Sequence, residues 1–219
     1  MQAPVHPLPK LVIFDFDGTL ADSGPWVASV LNDVAHRYGF RKLSGPDMQR
    51  LRGQDIRTIL QVLGIPPWRL PAIARHVRAR MAREIGAIRM FDGVADMLGR
   101  LRATGMALAV ASSNAEANVR RVLDGAGAGV ACFECGASLF GKAARFRRVL
   151  ERTGLPGADA LCVGDEVRDA EAAAAAGIRF AAVAWGYNTA DALLVCHPAA
   201  LFATPADLAD RLAGPARTA

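Results

Sequence analysis

The sequence predicts an α/β fold: a Rossmann-like parallel sheet core with an α-helical cap domain inserted after the first strand. Three observations predict it. Five short apolar runs read as buried strands. Helical stretches alternate with the later runs, as they do around a parallel sheet covered on both faces. One long interval, about 25–90, has helical periodicity and no strand-like run.

The first strand is expected at 11–16. The interval after it holds candidate helices at 26–38, 47–63 and 70–85, punctuated by Gly39, Gly64 and Pro66-Pro67. The remaining strands are expected at 107–112, near 130–134, at 160–165 and at 180–185. Helices are expected at 93–103, 115–124, 143–153 and 167–176. The last is alanine-rich, which makes a good helix. The expected division is 1–22 and 92–219 for the core, with 23–91 as the cap.

Composition narrows the class. Just over half of the 219 residues are hydrophobic, enough for one sizeable core. No apolar run approaches the roughly 20 residues needed to cross a bilayer. The first ten residues contain no apolar stretch of the signal-peptide kind. The four cysteines read as reduced thiols of a cytoplasmic protein. The net charge of +5 is carried almost wholly by arginine; only Lys10, Lys42 and Lys142 are lysines. The arginines are scattered and no aromatic residues interleave with them, so no nucleic-acid platform is expected. A solvated basic surface that attracts small anions is the expectation.

The chemistry gathers where strands end, the place where ligands bind in such sheets. The first run ends Asp15-Phe16-Asp17-Gly18-Thr19-Leu20. Two carboxylates at the end of a buried strand are costly without a partner, and a hard divalent cation is a natural one. A strand-end turn with solvated aspartates is the other reading of such a pair. The second ends Ser112-Ser113-Asn114 before a helix; these groups can hold phosphate oxygens or simply cap that helix. Lys142 opens a helix, where the dipole disfavours a cation, so an anion is expected to hold it. Asp165 and Asp169 are four apart, the second on a helical first turn, and can face one point.

In their order and placement these four groups resemble the haloacid dehalogenase-like hydrolase superfamily, in its phosphoglycolate phosphatase-like branch with a helical cap. The DxDGTLxDS signature stands as Asp15 to Ser23, followed by Ser112, Lys142 and Gly164-Asp165-(x)3-Asp169. The resemblance runs from Leu11 to a helix near Leu208. It implies a Mg²⁺-dependent phosphatase acting on a small phosphorylated metabolite, as monomer or homodimer. Asp15 would be the nucleophile and Asp17 the acid and base. Asp15, the backbone carbonyl of Asp17, and Asp165 would hold the metal, with Asp169 orienting its water or Lys142. Ser112, Ser113, Asn114 and Lys142 would hold the phosphoryl oxygens. Arg52 and Gly53 of the cap would meet the leaving group.

Asp17 argues against dehalogenation, because a halide leaving group needs no proton. A sugar phosphomutase shares every core residue, and a non-catalytic scaffold would be expected to lack one of them. Other patterns carry less. Gly125-Ala-Gly127-Ala-Gly129 lacks dinucleotide-loop spacing, and 136–140 misses the nucleophile elbow at its last position. Cys132 and Cys135 have no second ligand pair for zinc and read as structural. His6, His36, His76 and His197 are too scattered for a Ser/His/Asp site.

Overall fold

The structure, a computed structural model, describes residues 5, 7–51, 56–136 and 141–215. Strand β1 (Leu11–Phe14) is followed by a two-residue strand β2 (Ala21–Asp22). Four helices come next: α1 (Gly24–Tyr38), α2 (Gly45–Leu51), α3 (Ile56–Leu63) and α4 (Leu70–Glu84). Strand β3 (Arg89–Met90) pairs antiparallel with β2, bringing the chain back beside its point of departure.

The second part alternates regularly. Helix α5 (Val94–Ala103) precedes β4 (Ala107–Ser112), and α6 (Glu116–Leu123) precedes β5 (Cys132–Cys135). Helix α7 (Lys142–Thr153), β6 (Ala160–Gly164), α8 (Val167–Ala175) and β7 (Arg179–Val183) follow. The described chain closes with α9 (Ala190–Leu194), β8 (Ala200–Phe202) and α10 (Pro205–Ala213).

Among the described residues six strands form one parallel sheet in the order β5-β4-β1-β6-β7-β8. Strand β1 is central: Leu11 to Phe14 pair with Ala107 to Val110 on one side and Ala160 to Val163 on the other. Its side chains alternate between two cores, as a period of two requires. Val12 and Phe14 pack with Met97, Leu101 and Leu208. Leu11 and Ile13 pack with Phe146, Val149 and Ala173. The alanines of α8 let that helix lie close on the sheet, with Ala170, Ala172 and Ala173 buried. The inserted helices share a smaller cluster of Val34, Leu43, Leu63, Ile65 and Ile73.

The expected strands and core helices are present within about two residues, with three differences. Strand β1 stops at Phe14, because the Phe16 carbonyl already accepts from Leu20 N and Ala21 N in a turn. The stretch expected as one helix at 47–63 is described as α2 and α3; Arg52 and Gly53 lie outside the described residues. Strands β2, β3 and β8 were not foreseen, since two or three residues carry no measurable periodicity. Cys132 belongs to one face of the sheet and Cys135 to the other, so the pair cannot share a ligand or a bond. Burial raises both thiols, that of Cys135 to about 12. No described helix is long and apolar enough to cross a membrane.

Candidate active site

The carboxyl ends of β1, β4 and β6 meet the start of α7 in one small volume. Asp15 is fixed by its own backbone: Asp15 N donates to Val163 O at 2.9 Å. Its side chain is 5% exposed, and its Oδ2 lies 2.7 Å from Lys142 Nζ. That approach lacks hydrogen-bond geometry, so Oδ2 is a buried oxygen with a charged neighbour and no aimed donor. Lys142 Nζ also donates to Asp169 Oδ1. Burial would lower the Lys142 pKa, but Asp15 and Asp169 outweigh it and hold the ammonium above its ordinary value. This is the anion that the first-turn lysine called for.

Asp165 and Asp169 are fully buried. Thr19 Oγ1 donates to Asp165 Oδ1 at 2.7 Å, and Tyr187 N to Oδ2 at 2.8 Å. Two glycines make room for this carboxylate. Gly18 has φ +84, and a Cβ there would lie 2.3 Å from Asp165 Oδ2. A Cβ on Gly186 would lie 2.2 Å from Asp165 Cβ. Asp169 Oδ2 accepts from Glu166 N at 3.1 Å, closing a capping box on α8. Burial, then neighbouring acids, pushes Asp165 well above the usual carboxylate range, and burial raises Asp169.

Oxygens of Asp15, Asp165 and Asp169 lie within 4.8 Å of one another, the one such group among the described residues. Three buried carboxylates gather here, two of them against the Lys142 ammonium, and one oxygen has no aimed donor. Hard oxygen donors in this number suit a hard divalent cation. The cluster can hold a metal.

The Asp17 side chain stands apart from that group. Its Oδ1 accepts from Ser23 Oγ at 2.7 Å, and Asn114 Nδ2 lies 3.4 Å from its Oδ2. Burial first, with the Asp15 charge adding, raises its carboxyl to about 6. Ser112 is buried, its Oγ accepting from Asn114 N at 3.0 Å. Ser113 is half-buried beside it. Asn114 Oδ1 accepts from Ala115 N just before α6, while Nδ2 reaches Asp17 and, at 3.1 Å, Met81 Sδ of α4.

Sequence reasoning assigned no part to Thr19, Ser23, Arg168 or Tyr187. Thr19 and Ser23 lie inside the quoted signature, and their hydroxyls were the available signal. Arg168 is bound to Glu166, its side chain 40% exposed at the rim. Trp185-Gly186-Tyr187 follows β7 at the same edge of the sheet, and its place at a strand end was a usable clue. A groove of about 790 Å³ lies at the opposite end. It is bounded by Leu8, Met106 and Leu212 and shares no residue with this site.

A parallel sheet with a buried carboxylate–lysine cluster at its carboxyl edge defines a class: α/β proteins with a site suited to a cation and an anionic ligand together. The family model for haloacid dehalogenase-like hydrolases matches residues 12–183, and the chain belongs to that family. The phosphoglycolate phosphatase of Synechococcus elongatus is 34% identical over 91% of this chain and 95% of its own length. The tyrosine-protein kinase PtkA of Mycobacterium tuberculosis is 33% identical over 84% of this chain; the match spans 65% of that protein. A predicted phosphatase from Clostridium acetobutylicum has the same fold, with TM-score 0.81 over 94% of this chain and 98% of its own, at 17% identity. Family membership and the phosphoglycolate phosphatase relatives make the chain a phosphatase of this family.

Proposed function

We propose that the chain hydrolyses the phosphate monoester of a small, acidic metabolite of the phosphoglycolate kind, through a phosphorylated Asp15. The observation that carries this reading is the division of labour between two carboxylates two residues apart. Asp15 faces Lys142 and the buried acids, while Asp17 is turned toward Ser23 with a pKa near 6. One is placed to attack and the other to move a proton.

Asp15 attacks phosphorus, its carboxylate gaining the P–O bond as the bond to the leaving oxygen breaks. Asp17 gives its proton to that oxygen. It then takes a proton from the water that attacks the acyl phosphate, which restores both residues. Lys142 offsets the charge of Asp15 and Asp169 and holds phosphoryl oxygens, together with Ser112, Ser113 and Asn114. Asp15, the Asp17 carbonyl and Asp165 would hold Mg²⁺, with Asp169 orienting its water or Lys142. When bound, that ion offsets the repulsion between carboxylate and phosphate. Residues 23–91 act as a cap that selects the leaving group and excludes water. Arg52 and Gly53 remain the proposed contacts there.

The test is phosphate release from 2-phosphoglycolate and from para-nitrophenyl phosphate, with Mg²⁺ and with EDTA. Activity should need the metal. Asp15→Asn should lose at least about 10³-fold in kcat, in line with removal of a covalent nucleophile. Acid-quenched enzyme should carry one phosphoryl group on the peptide containing Asp15. Turnover that survives either EDTA or Asp15→Asn refutes the reading.

A further inference from the structure

The loop after β7 reaches the acid–base residue by a path the proposed chemistry has not yet used. Tyr187 Oη lies 2.5 Å from Ser23 Oγ, and Ser23 Oγ lies 2.7 Å from Asp17 Oδ1. Ser23 is fully buried. A serine hydroxyl has one proton. That proton goes to Asp17 Oδ1, so the proton in the Tyr187–Ser23 contact comes from the phenol. The chain therefore runs in one direction: Tyr187 donates to Ser23, and Ser23 donates to Asp17 Oδ1. The phenol ring is held against the start of α1, where a Cβ on Gly24 would come within 3.2 Å of it. The same residue's backbone N donates to Asp165 Oδ2 at 2.8 Å.

We propose that Tyr187 is a positioning residue for the acid–base step, acting through Ser23 to fix the orientation of the Asp17 carboxyl. The Ser23 contact holds Oδ1 and so sets Oδ2 on the Asn114 side. Without the phenol, Ser23 can rotate away, and the carboxyl loses the orientation from which it serves the leaving oxygen. This inference rests on the reading of Asp17 as the acid for the leaving group.

The test compares leaving groups. An alkyl phosphate needs its leaving oxygen protonated, whereas para-nitrophenolate leaves with far less help. Taking the ratio of the two kcat values on one preparation cancels any change in the fraction of folded enzyme. Tyr187→Phe should lower the alkyl-to-aryl ratio about 10-fold, a part of the roughly 10²–10⁴-fold that a general acid contributes. Ser23→Ala should lower it at least as much. The double variant should fall no further than Ser23→Ala alone, because both act along one chain. Ser23→Thr, which keeps the hydroxyl, should recover most of the ratio.

Asp17→Asn separates the two levels of the argument. If it leaves the ratio unchanged, the reading of Asp17 fails and this inference fails with it. If Asp17→Asn lowers the ratio but Tyr187→Phe slows both substrates equally, the phenol only supports the fold. Losses that multiply in the double variant would also overturn the proposal.

Discussion

Asp17 occupies a position where its charge is expensive. Burial, then the Asp15 charge, raises its pKa from 3.8 to about 6, against the opposing hydrogen bond from Ser23. Between those values the folded chain binds a proton that the unfolded chain releases, so this residue's contribution to stability falls as pH rises through the window. Asp17→Asn should therefore stabilise the metal-free protein at pH 7.5 by about 1–3 kcal/mol. The gain should vanish near pH 4. Urea melts in EDTA at the two pH values check this; an equal gain at both would refute it. Gly186 works in the opposite sense. Its Cα lies so close to Asp165 that an added Cβ has no room. Gly186→Ala should displace that carboxylate, at a cost of about 1–3 kcal/mol, with activity falling further than stability.

At the scale of elements, the edge strand β5 is held to α7 by Glu134. This buried carboxylate accepts from Arg148 Nε at 2.7 Å and Arg152 Nη1 at 2.9 Å. Burial alone would raise its pKa, but the two arginines outweigh it and leave it below 4.5. A depressed pKa adds stability above the unfolded value, and that stability is lost as pH falls through the folded one. Glu134→Gln should cost about 1–3 kcal/mol at pH 7, and the difference from the parent should shrink below about pH 4. Thermal melts across that range measure it; a pH-independent difference would assign the effect to packing. The short β2–β3 pair bears on function in another way. It joins Asp22 to Arg89 where the inserted helices leave and rejoin the sheet, one residue before Ser23. The main partner of Asp17 thus sits at the entry to the proposed cap.

At the scale of the whole molecule, three buried carboxylates drawn from two strand ends and a helix outnumber the one ammonium, Lys142, that pairs with Asp15 and Asp169. A divalent cation that binds only the folded state should raise stability by RT ln(1 + [M]/Kd). Millimolar Mg²⁺ should therefore raise the Tm of the EDTA-treated protein by several degrees, and Asp165→Asn should abolish that rise. The measurement needs no substrate and is independent of turnover. A shift that survives in Asp165→Asn would move the metal elsewhere.

What the sequence alone determined follows from short-range rules. Strands β1, β4 and β6 are legible because each is a short apolar run followed by a turn, and buried parallel strands must be apolar on both faces. The two-layer core, the helical insertion and the positions of Asp15, Ser112, Lys142, Asp165 and Asp169 at strand ends were legible for the same reason. Lys142 was legible because its charge opposes the local dipole. Only the tertiary structure decided which groups touch. Ser23 and Tyr187 are 164 residues apart, and no periodicity or propensity encodes a contact of that span. The two-residue strands β2 and β3 exist because they pair with each other across the insertion. Gly186 looks like an ordinary loop glycine until Asp165 is found against it. Side-chain identity states what a residue can donate, accept or coordinate. Whether it does so is decided by which chain segments the close-packed core brings within 3 Å, and that depends on every other residue in the fold.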